Sequence, residues 1–171
     1  MKFELYNRLK AVEYAHLWAY SHNPAFYNYE FLGGDCTNFI SQCLYAGCGV
    51  MNYMPTFGWY YIDANRKSPS WTGVEFLHQF LLRPEHSTGP VGIEVSKKDL
   101  EIGDVIQLSF DGIHFSHSLI VVSIFNSYFG KEYFVAAHSD AADHRPLYTY
   151  RFRKIRYIHI EGFYMDTVGG G

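Results

Sequence analysis

One cysteine in this sequence has the setting of a nucleophile. Cys36 follows Gly33-Gly34-Asp35, a turn that allows close backbone approach, and Phe39, Ile40, Cys43 and Leu44 continue from it along one helical face. A thiol at the head of a helix meets free N–H groups and the positive end of the helix dipole, which favour the thiolate that attacks carbonyl carbon. The same amides can form half of an oxyanion hole. Asp35 opposes the thiolate, so a cationic partner must stand close. The competing reading of Cys36 is a small buried hydrophobe, the commonest fate of cysteine. Cys43, on the apolar face of the same helix, and Cys48, between Gly47 and Gly49, read as structural.

A nucleophilic thiol needs a base, and the chain has nine histidines. His117 leads into Ser118-Leu119-Ile120-Val121-Val122, an apolar strand that would hold an imidazole rigid and partly dry. His138 ends the next apolar strand, Tyr133 to Ala137, and precedes Ser139-Asp140. Neighbouring strands that each present a histidine can supply a base and the group that orients it. His114 lies three residues before His117, on the opposite face of a continuous strand. That alternation disfavours a zinc site built from His114, His117 and His138, and the cysteine spacings match no common zinc pattern. The expectation is no metal and no organic cofactor. His16, His22, His78, His86 and His159 have no suggestive context.

These residues need a scaffold. Apolar residues from Phe3 to about Tyr20 recur at helical spacing, and Asn23-Pro24 stops that helix. An aromatic loop with Phe26, Tyr27, Tyr29 and Phe31 leads to the glycines, and helix two runs from Cys36 to a stop at Gly47. Residues 51–70 read as irregular. Thr72-Gly73-Val74-Glu75 has the pattern of a capping box that opens a helix ended by Pro84. Strands are predicted at 105–108, 118–124, 133–137 and 155–163. Helices first and strands second give an α+β fold with a mainly antiparallel sheet, in one domain over 1–171 with 168–171 as a loose tail.

Composition sets the outer limits. A 171-residue chain with 48% hydrophobic and 18% charged residues buries a sufficient core without disulfides. Its net charge of -3 supplies no basic face, so nucleic acid is an unexpected partner. The 19% aromatic share serves a stiff core or a groove that grips an extended substrate. Three clustered cysteines fit a reducing compartment better than a secreted framework. No apolar signal core is visible at the N-terminus, and the longest uncharged stretch, 112–130, reads as strand and turn rather than a membrane span. The expected location is cytoplasmic; an extracellular one requires a leader already removed.

The run Gly33-Gly34-Asp35-Cys36-Thr37-Asn38-Phe39-Ile40-Ser41-Gln42-Cys43-Leu44-Tyr45-Ala46-Gly47, preceded by Asn23-Pro24, resembles the signature of the putative amidase domain family, relatives of the papain-like and NlpC-type cysteine hydrolases. Gly103-Asp104-Val105-Ile106-Gln107, the segment from His117 to Val122, and Ala137-His138 are similar to its later blocks. The resemblance implies a papain-like core whose N-terminal helices pack on a small antiparallel sheet, and a cysteine amidase or peptidase acting through a thioester. It implies Cys36 as nucleophile, His117 as base and His138 as orienting residue, with Asp140 or Asp35 as substitute or support. Tyr27, Tyr29 and Asn23 are the candidate side-chain oxyanion donors. A peptide of bacterial cell-wall type is the implied substrate. Two other readings use the same residues: acyl transfer to an amine, or a silent module that binds in an aromatic groove.

Overall fold

The computed structural model describes residues 1–167; the expected tail at 168–171 lies outside them. The chain opens with a short strand, β1 (Lys2–Glu4), and then helix α1 (Arg8–Trp18). Periodicity alone placed Phe3 in the helix. The structure instead pairs Phe3 with Tyr164 near the far end of the chain, and Asn7 caps α1 by accepting from the Lys10 amide. Here tertiary pairing overrides a weak local preference.

Helix α2 (Cys36–Cys48) begins at the expected residue. It runs through Gly47 and stops at Gly49, whose φ of 71° is the left-handed C-cap conformation. Gly47 serves another purpose: any Cβ there would overlap the Tyr6 ring. Eleven of the thirteen α2 residues are buried, so its polar side chains need partners. Asn38 accepts from the Trp71 indole at 2.9 Å, Ser41 accepts from the Trp59 indole at 3.0 Å, and Gln42 accepts from the Tyr14 hydroxyl at 2.6 Å.

The segment read as irregular holds a small hairpin, β2 (Tyr61–Asp63) and β3 (Arg66–Lys67), which alternation could not reveal at that length. Helices α3 (Pro69–Thr72) and α4 (Val74–Leu81) follow. The capping box is not formed: Gly73, not Thr72, is the N-cap of α4, with no side-chain bond.

The second half is an antiparallel sheet of β4 (Gly89–Glu94), β5 (Val105–Ser109), β6 (His117–Ser127), β7 (Gly130–Ala137), β8 (Ala142–Pro146) and β9 (Lys154–Met165), with β1 added. The path runs β1-β9-β5-β6-β7-β8, with β4 also on β9, and the sheet curls. Strands β4 and β8 are absent from the sequence expectation; Pro90, Pro146 and charged residues obscure their alternation. The fold is mixed helix and strand, as expected.

Alternation along β6 divides two cores. Ile120 and Val122 pack with Phe39, Ile40 and Leu44 of α2, whereas Leu119 and Val121 join Leu147 and Tyr150 on the other face. Among the described residues, no helix is long and apolar enough to cross a membrane.

Candidate active site

Helix α2 is fixed on β6 beside the two residues of interest. Thr37 Oγ1 and Ser118 Oγ share a hydrogen bond of 3.0 Å, and Gln107 of β5 donates to the same Ser118 oxygen. The Cys36 Sγ therefore lies against the start of β6, 3.9 Å from the Ser116 carbonyl oxygen and 3.8 Å from Thr37 Oγ1. His117 is the next residue. Cys36 and His117 line one cavity of about 480 Å³, together with Gly33, Gly34, Ser139, Asp140, Arg145 and Tyr150 among others.

His117 is buried, and its Nε2 has no hydrogen-bond partner among the described residues. The Tyr150 hydroxyl, on the same cavity wall, is likewise unpartnered, with its ring centroid 6.3 Å from that of His117. Two orphaned polar atoms on residues of one cavity wall are unusual, because buried polar groups are nearly always satisfied. Phe110, at 6.2 Å, contributes another wall to the imidazole.

The electrostatics differ from the sequence expectation. Burial pushes the Cys36 thiol up, and the neighbouring Asp35 adds to this; hydrogen bonds from Ser118 and Thr37 pull against it. Burial likewise holds His117 below its ordinary value, opposed by Asp140. Desolvation is thus the largest influence on both groups, and it pushes each toward its neutral form.

His138 does not orient His117. Its Nδ1 meets Asp35 Oδ2 at 2.6 Å, its Nε2 meets the Trp18 carbonyl at 2.7 Å, and its ring stacks on Phe39 at 4.1 Å. Strand register explains the separation. Ile120 pairs with Ala136, so two more residues set Ser118 opposite His138, on the face that α2 covers. His117 points to the other face. The two expected partners are on adjacent strands but one residue out of phase.

Asp35 is the N-cap of α2, yet its carboxylate caps nothing. Oδ1 accepts from the Tyr29 amide and the Asn38 side chain, both at 2.8 Å, while Oδ2 faces His138. The first-turn amides at Cys36 therefore have no side-chain cap. Asp140 lines the cavity, but its carboxylate pairs with Arg145 at 2.9 Å. Ser139 and Asp140 hold φ of 54° and 93°, strained for residues with a Cβ. That turn is fastened by the Asp35 amide donating to Ser139 Oγ at 2.6 Å and by Glu30 accepting from Ser139.

The three candidate oxyanion donors are elsewhere. Tyr29 donates to the Ala64 carbonyl, Asn23 donates to the Tyr14 hydroxyl, and Tyr27 packs on Tyr29; none lines the cavity of Cys36. His114 is exposed and bound to Asp111. Ser139, Arg145, Tyr150 and Arg151 are among the cavity residues that sequence reasoning missed, and only the proximity of Ser139-Asp140 to His138 hinted at them.

Known proteins resemble this chain over most of its length. The family model described as "Putative amidase domain" matches residues 5–160. A relative from Bacillus subtilis (strain 168), "Uncharacterized protein YhbB", is 37% identical over 121 residues, which cover 69% of this chain and 37% of the relative's length. No solved structure matches. With the match running from before α1 into β9 and enclosing Cys36 and His117, the chain belongs to the putative amidase domain family, whose description is that of hydrolysis at amide bonds.

Proposed function

We propose that the chain is a cysteine hydrolase of amide or peptide bonds, with a papain-like arrangement of helix head and strand. The observation that carries the reading is that Cys36 and His117, whose Nε2 is unpartnered, line one cavity. His117 takes the thiol proton as Sγ bonds to the carbonyl carbon. The uncapped amides at the head of α2 receive the oxyanion, and the free Tyr150 hydroxyl is a second donor on that wall. Collapse of the adduct breaks the C–N bond, and His117 returns the proton to the leaving amine. Water, activated by the same imidazole, then cleaves the thioester and restores the thiol. Thiol and imidazole share no hydrogen bond at rest; such bonds often tighten only with substrate.

His138 enters this reading as a positioning residue. Through Asp35 it fixes the turn that delivers Cys36, and Asp140 contributes its field to His117. Short peptides of bacterial cell-wall type are the substrate class to try first, since Arg145 and Arg151 on the cavity wall suit peptide carboxylates.

The test is to incubate the protein with a set of cell-wall stem peptides and record intact mass after acid quench. An acyl group mapped to Cys36, absent in Cys36→Ala, is the expected result. Brief iodoacetamide treatment should label Cys36 ahead of the fully buried Cys43, with a rate that climbs as the pH rises, because the thiol is pushed up. Amide cleavage that persists in Cys36→Ala overturns the mechanism.

A further inference from the structure

At the turn that carries Asp35, four side chains converge that touch no reacting atom in the chemistry above. His22, Glu30, Asp35 and His138 each present one donor atom, and these atoms all lie within 4.8 Å of one another. Asp35 and His138 are buried, His22 is exposed and Glu30 half-buried. We infer that these four residues form a binding site for a divalent transition-metal ion of the zinc class, one that ties the turn before α2 to the end of β7.

The donor set is two imidazoles and two carboxylates, which suits Zn²⁺. With bonds of about 2.0–2.2 Å, a tetrahedral ion sets neighbouring donors about 3.3 Å apart. The observed separations straddle that value: His138 Nδ1 to Asp35 Oδ2 is 2.6 Å, His22 Nε2 to Asp35 Oδ2 is 3.7 Å, and His22 Nε2 to Glu30 Oε1 is 4.0 Å. No separation exceeds 4.8 Å, and the exposed His22 and half-buried Glu30 are the ligands with room to close the longer ones. The proton between His138 and Asp35 is what the ion replaces.

The surroundings are those of a prepared site. A metal-bound histidine usually donates its other N–H to a carbonyl or carboxylate, which fixes the tautomer. His138 Nε2 does this to the Trp18 carbonyl at 2.7 Å and leaves Nδ1 for the cluster. Asp35 has one oxygen held by the Tyr29 amide and the Asn38 side chain and the other turned inward. Glu30 is held by the Ser139 amide and hydroxyl, at 2.8 and 3.1 Å. His22 makes no hydrogen bond among the described residues, although its ring lies 4.6 Å from that of His138. Three of the ligands are thus oriented by neighbours, and the fourth is a free imidazole at the mouth. The ion needs no part in the reaction, so the inference stands or falls separately from the proposed hydrolysis.

The experiment uses the full chain with Cys36→Ser, so that the thiol cannot compete as a ligand, after removal of metal with a chelator. Titration with Zn²⁺ by calorimetry should give one saturable site, and Co²⁺ should give the intense visible absorption of a four-coordinate ion. Zinc at a hundredfold excess over its Kd should raise the unfolding midpoint by roughly 5 °C or more. His22→Ala and Glu30→Gln, at accessible positions, should each weaken binding by about tenfold or more and remove the Co²⁺ spectrum. No saturable binding, or binding that His22→Ala and Glu30→Gln leave unchanged, overturns the site; the cluster is then a hydrogen-bonded His138–Asp35 pair.

Discussion

At the scale of single residues, burial is the largest influence on both Cys36 and His117. The sequence pointed to Cys36 through its glycine turn and apolar helical face, and to His117 through its place at the head of an apolar strand. It could not show that α2 would be buried on nearly every side, because that cover is made by Trp59, Trp71 and strand β6, 81 residues on from Thr37 at the Ser118 contact. The depressed imidazole has a measurable consequence. As pH falls, an unfolded chain protonates His117 near its ordinary value of about 6.5, while the folded chain resists. Stability contributed above that pH is therefore lost below it, with a slope of at most about 1.4 kcal/mol per pH unit from this one group. Urea denaturation at pH 7.5 and pH 5 should show a larger loss in the wild type than in His117→Gln. Equal losses would place the effect on other groups. The acid limb of kcat/KM, if His117 is the base, should likewise fall below pH 6.5.

The elements were legible where their pattern was local. Helix α2 and the strands β5, β6, β7 and β9 could be read from periodicity, since each carries a run of buried apolar residues. The strands β1, β4 and β8 have too few residues or too many polar ones, and exist because an edge was there to pair with. Phase was also out of reach: register, not sequence distance, set His138 on the α2 face. Gly47 illustrates the same limit, for it reads as a helix stop and acts as a packing contact. Gly47→Ala should lower stability by about 1–3 kcal/mol through overlap with Tyr6, despite the better helix propensity of alanine. Adding Tyr6→Leu should recover part of that loss. Simple additivity of the two changes in chemical denaturation would show that no clash exists.

Across the whole molecule, one buried carboxylate joins the two ends of the chain. Asp104 is fully buried and accepts from Arg8 of α1 at 2.7 Å, from the Ile160 amide of β9 at 3.0 Å and from the Glu101 amide at 2.8 Å, with His159 at 2.9 Å. Arg8 also donates to the Ile160 carbonyl. Removing one member of such a network leaves the other charge dry and unpaired, which typically costs about 3–5 kcal/mol. Asp104→Ala should therefore lose stability in that range in guanidinium titration, and Asp104→Asn less. A loss under about 1 kcal/mol in Asp104→Ala would mean that water replaces the carboxylate freely.

Strand β9 is the last of the described strands, and it lies inside the sheet, where β1, β4 and β5 all pair with it. Synthesis runs at about 5–20 residues per second, so roughly ten seconds separate the emergence of Cys36 from that of β9. Until β9 pairs, β5 lacks one of its two neighbours, so the sheet that carries His117 is incomplete. The partners of Cys36, from Ser116 to Tyr150, are joined to it only through pairings distant in sequence, the slow kind to form. A ribosome-bound fragment ending before Lys154 thus carries Cys36 and His117 on a sheet that lacks its most widely paired strand.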